Sequence, residues 1–174
     1  MALFNFRRKE EAAPATGSLE GFLKGYSIEV MPRTAEKVED FRALLPKGTR
    51  VYIAHIEGTP IEDMVATARR INGEGFDVMP HFPARIIPDK ATLADWIARY
   101  QGEANVKQAL LLGGGVNTPA GDFDSSMQMI ETGLFDGFLV HSRGGATMPL
   151  GEPGRALDLA DFRDSTPTLI RDDL

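Results

Sequence analysis

From residue 26 the chain alternates two hydrophobic periods, and that alternation predicts an architecture before any single side chain is considered. Short apolar or β-branched runs at 26–31, 50–55, 76–80 and 108–112 are separated by longer segments with helical spacing. Such runs read as strands, and strands that alternate with helical segments read as the βα units of a parallel sheet. Ile61, Met64, Val65, Ala68 and Ile71 recur at helical spacing, as do Leu93, Trp96, Ile97 and Tyr100, so each set forms one apolar stripe against a sheet. Thr34, Thr59, Asp89 and Asp124 precede helical stretches, where a side-chain oxygen can accept from the free amides of a first turn.

Strand to strand, the repeat is about 25–30 residues, the size of one βα unit. Four units are legible, with a fifth strand at 137–140. A closed eight-stranded β/α barrel takes about 250 residues and rarely fewer than about 200. With 174 residues, the expected fold class is α/β: the β/α (TIM-type) barrel family, first half of the barrel only, in four to five βα units. Three regions follow: a mobile lead-in at 1–18, a partial-barrel domain at 19–136, and a divergent tail at 137–174. The tail is rich in Gly, Pro, Arg and Asp, offers one helical turn near 157–162, and predicts no further strand after the fifth.

Composition narrows the partners. A net charge of −6 argues against a nucleic-acid binder, which needs concentrated Lys and Arg to displace counterions from phosphates. No apolar run approaches the roughly 20 residues of a spanning helix, so no membrane partner is expected. The chain contains no cysteine, which excludes disulfides, thiolate metal sites and thiol nucleophiles and fits a cytoplasmic protein. The first residues lack the continuous apolar core of a secretory signal.

Four expected strand ends carry residues capable of chemistry, and in alternating α/β folds the carboxyl ends of strands are where sites are built. Glu29 lies on the strand face opposite Ile28 and Val30, where a carboxylate needs a partner or a task. His55 and His81 end successive strands. Arg85, just beyond His81, could pair with a phosphate or a carboxylate. Gly113, Gly114 and Gly115 break a buried strand into a turn whose amides could approach a ligand closely, without Walker or Rossmann spacing. A metal hydrolase using His55, Glu57 and His81 is the rival enzyme class, although a His-Glu-x-x-His spacing is missing.

The run Ser27-Ile28-Glu29-Val30-Met31-Pro32-Arg33-Thr34 resembles the first strand of the methylenetetrahydrofolate reductase family, where the acidic catalyst sits. Pro80-His81 resembles the Pro-His of that family's third strand, and Thr118 to Gly121 the Pro/Gly loop after its fourth. The likeness spans about residues 26–135. It implies FAD as cofactor, NADH or NADPH as donor, and reduction of 5,10-methylenetetrahydrofolate to 5-methyltetrahydrofolate. It also implies Glu29 as general acid and His55, His81 and Gly113 to Gly115 as cofactor-binding positions. The family's Leu-Arg-Gly-Asp turn is Leu112-Gly113-Gly114-Gly115 here, and the family's next strand motif has no clear counterpart after residue 137. The chain is therefore expected to be a divergent, truncated or frame-shifted member. An open half barrel exposes strand edges, so a homo-oligomer or a partner subunit is expected to cover them, and a non-catalytic half-barrel module is the alternative.

Overall fold

The computed structural model describes residue 21, residues 23–142 and residues 147–149. They form an α/β fold around one sheet of six strands: β1 (Ser27–Val30), β2 (Arg50–Ile53), β3 (Asp77–Pro83), β4 (Gln108–Leu112), β5 (Leu139–Ser142) and β6 (Thr147–Pro149). The strands lie side by side in sequence order; β1 to β5 are parallel, and β6 returns antiparallel to β5. The strands expected from hydrophobic runs are all present. The expectation of no strand after the fifth is corrected by β6, whose three residues are too few to leave a periodic signal.

A helical turn, α1 (Pro32–Ala35), follows β1; α2 (Ile61–Gly73) follows β2; α3 (Lys90–Ala104) follows β3; and α4 (Ser126–Glu131) follows β4. The predicted stripes are the buried faces: Met64, Val65, Ala68 and Ile71 of α2, and Leu93, Ile97 and Tyr100 of α3. They pack on the sheet face made by Val51, Ile53, Val78, Phe82, Ala109 and Leu111. Parallel strands joined by crossovers of one hand keep their helices on one face unless the strand order reverses. Here it does not reverse, and α2 and α3 lie against each other. Arg99 joins them through Glu62 at 2.7 Å, and Asn72 donates to the Ala104 carbonyl at 2.8 Å.

The helix starts differ from expectation in detail. Asp89 caps α3 as predicted, accepting from the Thr92 amide at 2.7 Å. Thr34 does not precede a helix; it sits inside α1, where its hydroxyl accepts from the Met31 amide and donates to the Met31 carbonyl. The cap of α2 is Pro60 rather than Thr59, and that of α4 is Ser125 rather than Asp124. Pro60 makes no side-chain cap bond, whereas Ser125 sits in a capping box with Gln128, and single-sequence reading misses such one-residue shifts. The lead-in at 1–18 and most of the tail lie outside the described residues.

Candidate active site on the open face of the sheet

The face of the sheet away from the helices carries Glu29, Tyr52, Met79, His81 and Leu110. Alternation puts them there, and register aligns them: Glu29 is paired with Tyr52, Tyr52 with Met79, and His81 with Leu110. Two strands from β1, His81 reaches back across β2, so that its Nε2 lies 3.4 Å from Glu29 Oε2. The Tyr52 ring meets the imidazole edge-on, with centroids 6.0 Å apart. The carboxylate is 58% exposed and the imidazole 12%, so a water-facing acid stands beside a sheltered nitrogen heterocycle.

That separation exceeds the usual 2.7–3.2 Å of an N–H···O bond, and His81 Nε2 is buried with no hydrogen-bond partner. Burial pushes the His81 pKa below the ordinary histidine value, and the Glu29 charge opposes that shift only in part. The imidazole is therefore neutral near pH 7, and its orphaned nitrogen is a ready donor or acceptor for whatever docks against Glu29.

His55 is placed differently. It stands two residues beyond β2, buried, with its ring 4.6 Å from that of Trp96 on α3. Its Nε2 donates to the Thr59 carbonyl at 3.0 Å, which fixes Nδ1 as a bare acceptor without a partner. Burial pushes its pKa down as well, partly offset by the Thr59 bond, with His81 adding a smaller push in the same direction. His55 thus ties the loop after β2 to α3 and makes no contact with the Glu29 carboxylate comparable to that of His81.

Gly113, Gly114 and Gly115 follow β4 beside the end of β3. Gly114 has φ +94°, and a Cβ there would come within 3.2 Å of the Pro83 side chain, so both conformation and space call for glycine. A Cβ at Gly113 or Gly115 would meet nothing within 4 Å, which leaves a stretch of bare backbone at the strand ends. Arg85 is already engaged: its Nε donates to the Asp124 carboxylate at 2.9 Å and its Nη1 to the Val116 carbonyl at 3.3 Å. Asp124, read as a helix start, is instead the partner of this guanidinium.

Measured against a flavin, these residues fit in part. A neutral buried imidazole and an unobstructed glycine backbone suit the polar rim of an isoalloxazine ring, whereas Arg85 is not available to pair with a pyrophosphate. Among the described residues no three His, Asp or Glu side chains gather as metal ligands, so the His55, Glu57 and His81 set does not assemble. The sequence reading overlooked Tyr52, although alternation within 50–55 places it on the Glu29 face.

No protein-family model matches the chain. Among the described residues no helix is long and apolar enough to cross a membrane.

Proposed function

We propose that this chain is a flavin-dependent oxidoreductase of the methylenetetrahydrofolate reductase kind, supplying the first four to five βα units of a β/α barrel and acting in the cytoplasm. The observation that carries the reading is the approach of His81 to Glu29 across β2, on the face that would line a barrel. Sequential strand order supports the barrel reading, because a doubly wound sheet would reverse direction and place helices on both faces. The chain resembles the family at these same two positions.

In this reading FAD, reduced by NADH or NADPH, supplies the hydride. Glu29 gives its proton to an amine nitrogen of the folate; the ring C–N bond breaks toward that nitrogen and leaves an electrophilic iminium carbon on the substrate. The water-facing carboxyl can be reprotonated from solvent after each turnover. His81, neutral and otherwise unpartnered, orients the carboxyl through Nε2, and Tyr52 restricts the imidazole from the side. The bare backbone of Gly113 to Gly115 lets a planar ring approach the strand ends. A second reading, a module that works only with a partner subunit, is favoured by the commitment of Arg85 to Asp124, which leaves pyrophosphate recognition to residues elsewhere.

The first test is the visible spectrum of the purified chain after incubation with FAD and removal of the excess. A retained flavin spectrum supports the enzyme reading, and a colourless protein favours the partner-dependent module. Given a bound flavin, Glu29→Gln is expected to lower folate reduction by about 100-fold or more while flavin reduction by the nicotinamide changes little. Equal loss in both half-reactions would remove Glu29 from the acid's role.

A further inference from the structure

We propose that Arg85 is a positioning residue of this site: its guanidinium holds the loop of residues 113–124 as a preformed wall at the carboxyl ends of β3 and β4. A ligand then meets the Gly113 to Gly115 backbone already ordered. The identity of that ligand rests on the flavin reading, whereas the hold on the loop does not.

Between β4 and α4 the chain runs through residues 113–125, a length at which segments without secondary structure of their own are uncommon and tend to serve a function. The segment opens on three successive glycines. Glycine has the widest choice of backbone conformation and loses the most entropy when it is ordered. An untied turn of this kind would be ordered only by its ligand, at the expense of affinity.

Arg85 meets the loop along its whole course. Its amide donates to the Gly113 carbonyl at 3.0 Å, which prolongs the β3–β4 ladder, and its carbonyl accepts from the Ala120 amide at 2.8 Å. The side chain takes two further points: Nη1 donates to the Val116 carbonyl at 3.3 Å, and Nε to the carbonyl and the carboxylate of Asp124 at 3.0 and 2.9 Å. Gly114 packs against the same residue, since a Cβ there would stand 3.8 Å from Arg85 Cβ. The far end is itself anchored. Asp124 directly precedes Ser125, the cap of α4, and the amides of both donate to Gln128 Oε1 at 2.6 and 3.0 Å. Arg85 therefore ties a mobile type of sequence to a fixed one.

The chemistry calls for arginine. The oxygens to be reached lie in different parts of the loop, and two of them are uncharged carbonyls. A guanidinium serves them because its donors are spread over a rigid planar fork, a span that the compact ammonium of lysine lacks. The Asp124 carboxylate is 66% exposed and the guanidinium 33%, so the ion pair by itself contributes little in water. Geometry, more than charge, fixes the loop.

Hydrogen exchange of the full chain without ligand reads that hold directly. Arg85→Met keeps the apolar stem and removes the donors. It is expected to speed exchange at the Ala120 and Asp122 amides by about tenfold or more, while Val51 and Ile53 in the sheet keep their rates. Arg85→Lys is expected to behave like Arg85→Met, and Asp124→Asn, which keeps an oxygen acceptor in its side chain, like the parent chain. Unchanged loop exchange in Arg85→Met would overturn the proposal. Full rescue by Arg85→Lys would overturn it as well, because the hold would then come from charge and not from the fork. Should Arg85→Met fail to fold, the contrast between Arg85→Lys and Asp124→Asn carries the same decision. FAD binding, followed by flavin fluorescence, is the second readout: Arg85→Met is expected to raise the dissociation constant by about tenfold with the thermal midpoint little changed. Faster loop exchange with unaltered FAD affinity would leave Arg85 a structural tie and refute its positioning role. A parent chain that binds no FAD would remove the flavin reading, and the exchange rates would still decide whether Arg85 holds the loop.

Discussion

At the scale of single residues, two histidines that look equivalent in the sequence have separate environments. Both end a strand, but His81 turns toward Glu29 on the open face while His55 turns into the contact with Trp96 and Thr59. Alternation made the facing of Glu29 and His81 legible; the fate of His55 depended on a helix 41 positions further on, beyond the reach of local pattern. Both pKa values lie below the ordinary 6.5, with burial as the first cause. The unfolded chain therefore takes up these protons at higher pH than the native one. Their neutral forms leave stability level above about pH 6.5, and stability falls as pH drops below that value toward the depressed native pKa values. Urea midpoints from about pH 7 to about pH 5 are expected to fall, and His55→Phe, which keeps a ring against Trp96, is expected to flatten part of that slope. An unchanged slope in both His55→Phe and His81→Phe would show that other groups control it.

At the scale of elements, the loop after β4 is held by backbone bonds in addition to the burial of Phe123 in the core. Ala120 donates to the Arg85 carbonyl at 2.8 Å and Asp122 to the Pro88 carbonyl at 2.9 Å, which seats Gly121 directly on Pro88. A Cβ at Gly121 would lie 1.8 Å from the Pro88 carbonyl oxygen, so two backbone segments would have to separate. Gly121→Ala is expected to cost about 1–3 kcal/mol in chemical denaturation, and Gly113→Ala, where the space is open, less than about 0.5 kcal/mol. Equal effects would mean that the loop yields freely. A comparable clamp orders the segment beside β1: Arg70 of α2 donates to the carbonyls of Ala35, Val38 and Glu39, pairs with Glu74 and lies over the Phe41 ring. Neither clamp has a sequence signature, because each joins a guanidinium or a glycine to carbonyls that any residue could provide.

At the scale of the whole molecule, among the described residues the sheet has one face covered by α2 and α3, one face that carries no helix, and a first strand paired on one side. Hydrogen exchange is expected to be slowest at Val51, Ile53, Ala109 and Leu111, in strands paired on both sides beneath α2 and α3. It is expected to be faster at the outward amides of Ser27 and Glu29, which bond to no strand among the described residues. Strong protection of those amides would place a cover within the chain itself.

Hydrophobic period by itself determined the α/β class, the first five strands, the buried stripes of α2 and α3, and the side of β1 from which Glu29 projects. These are local properties, set by the repeat of 2 in a strand and 3.6 in a helix acting on a chain with one side to bury. Only the tertiary structure decided that His81 crosses β2 to reach Glu29, that His55 does not, and that Arg85 is spent on Asp124. Each of those depends on strand register and on packing between segments far apart in the chain, where the physical determinant is a distance in space that no local pattern encodes.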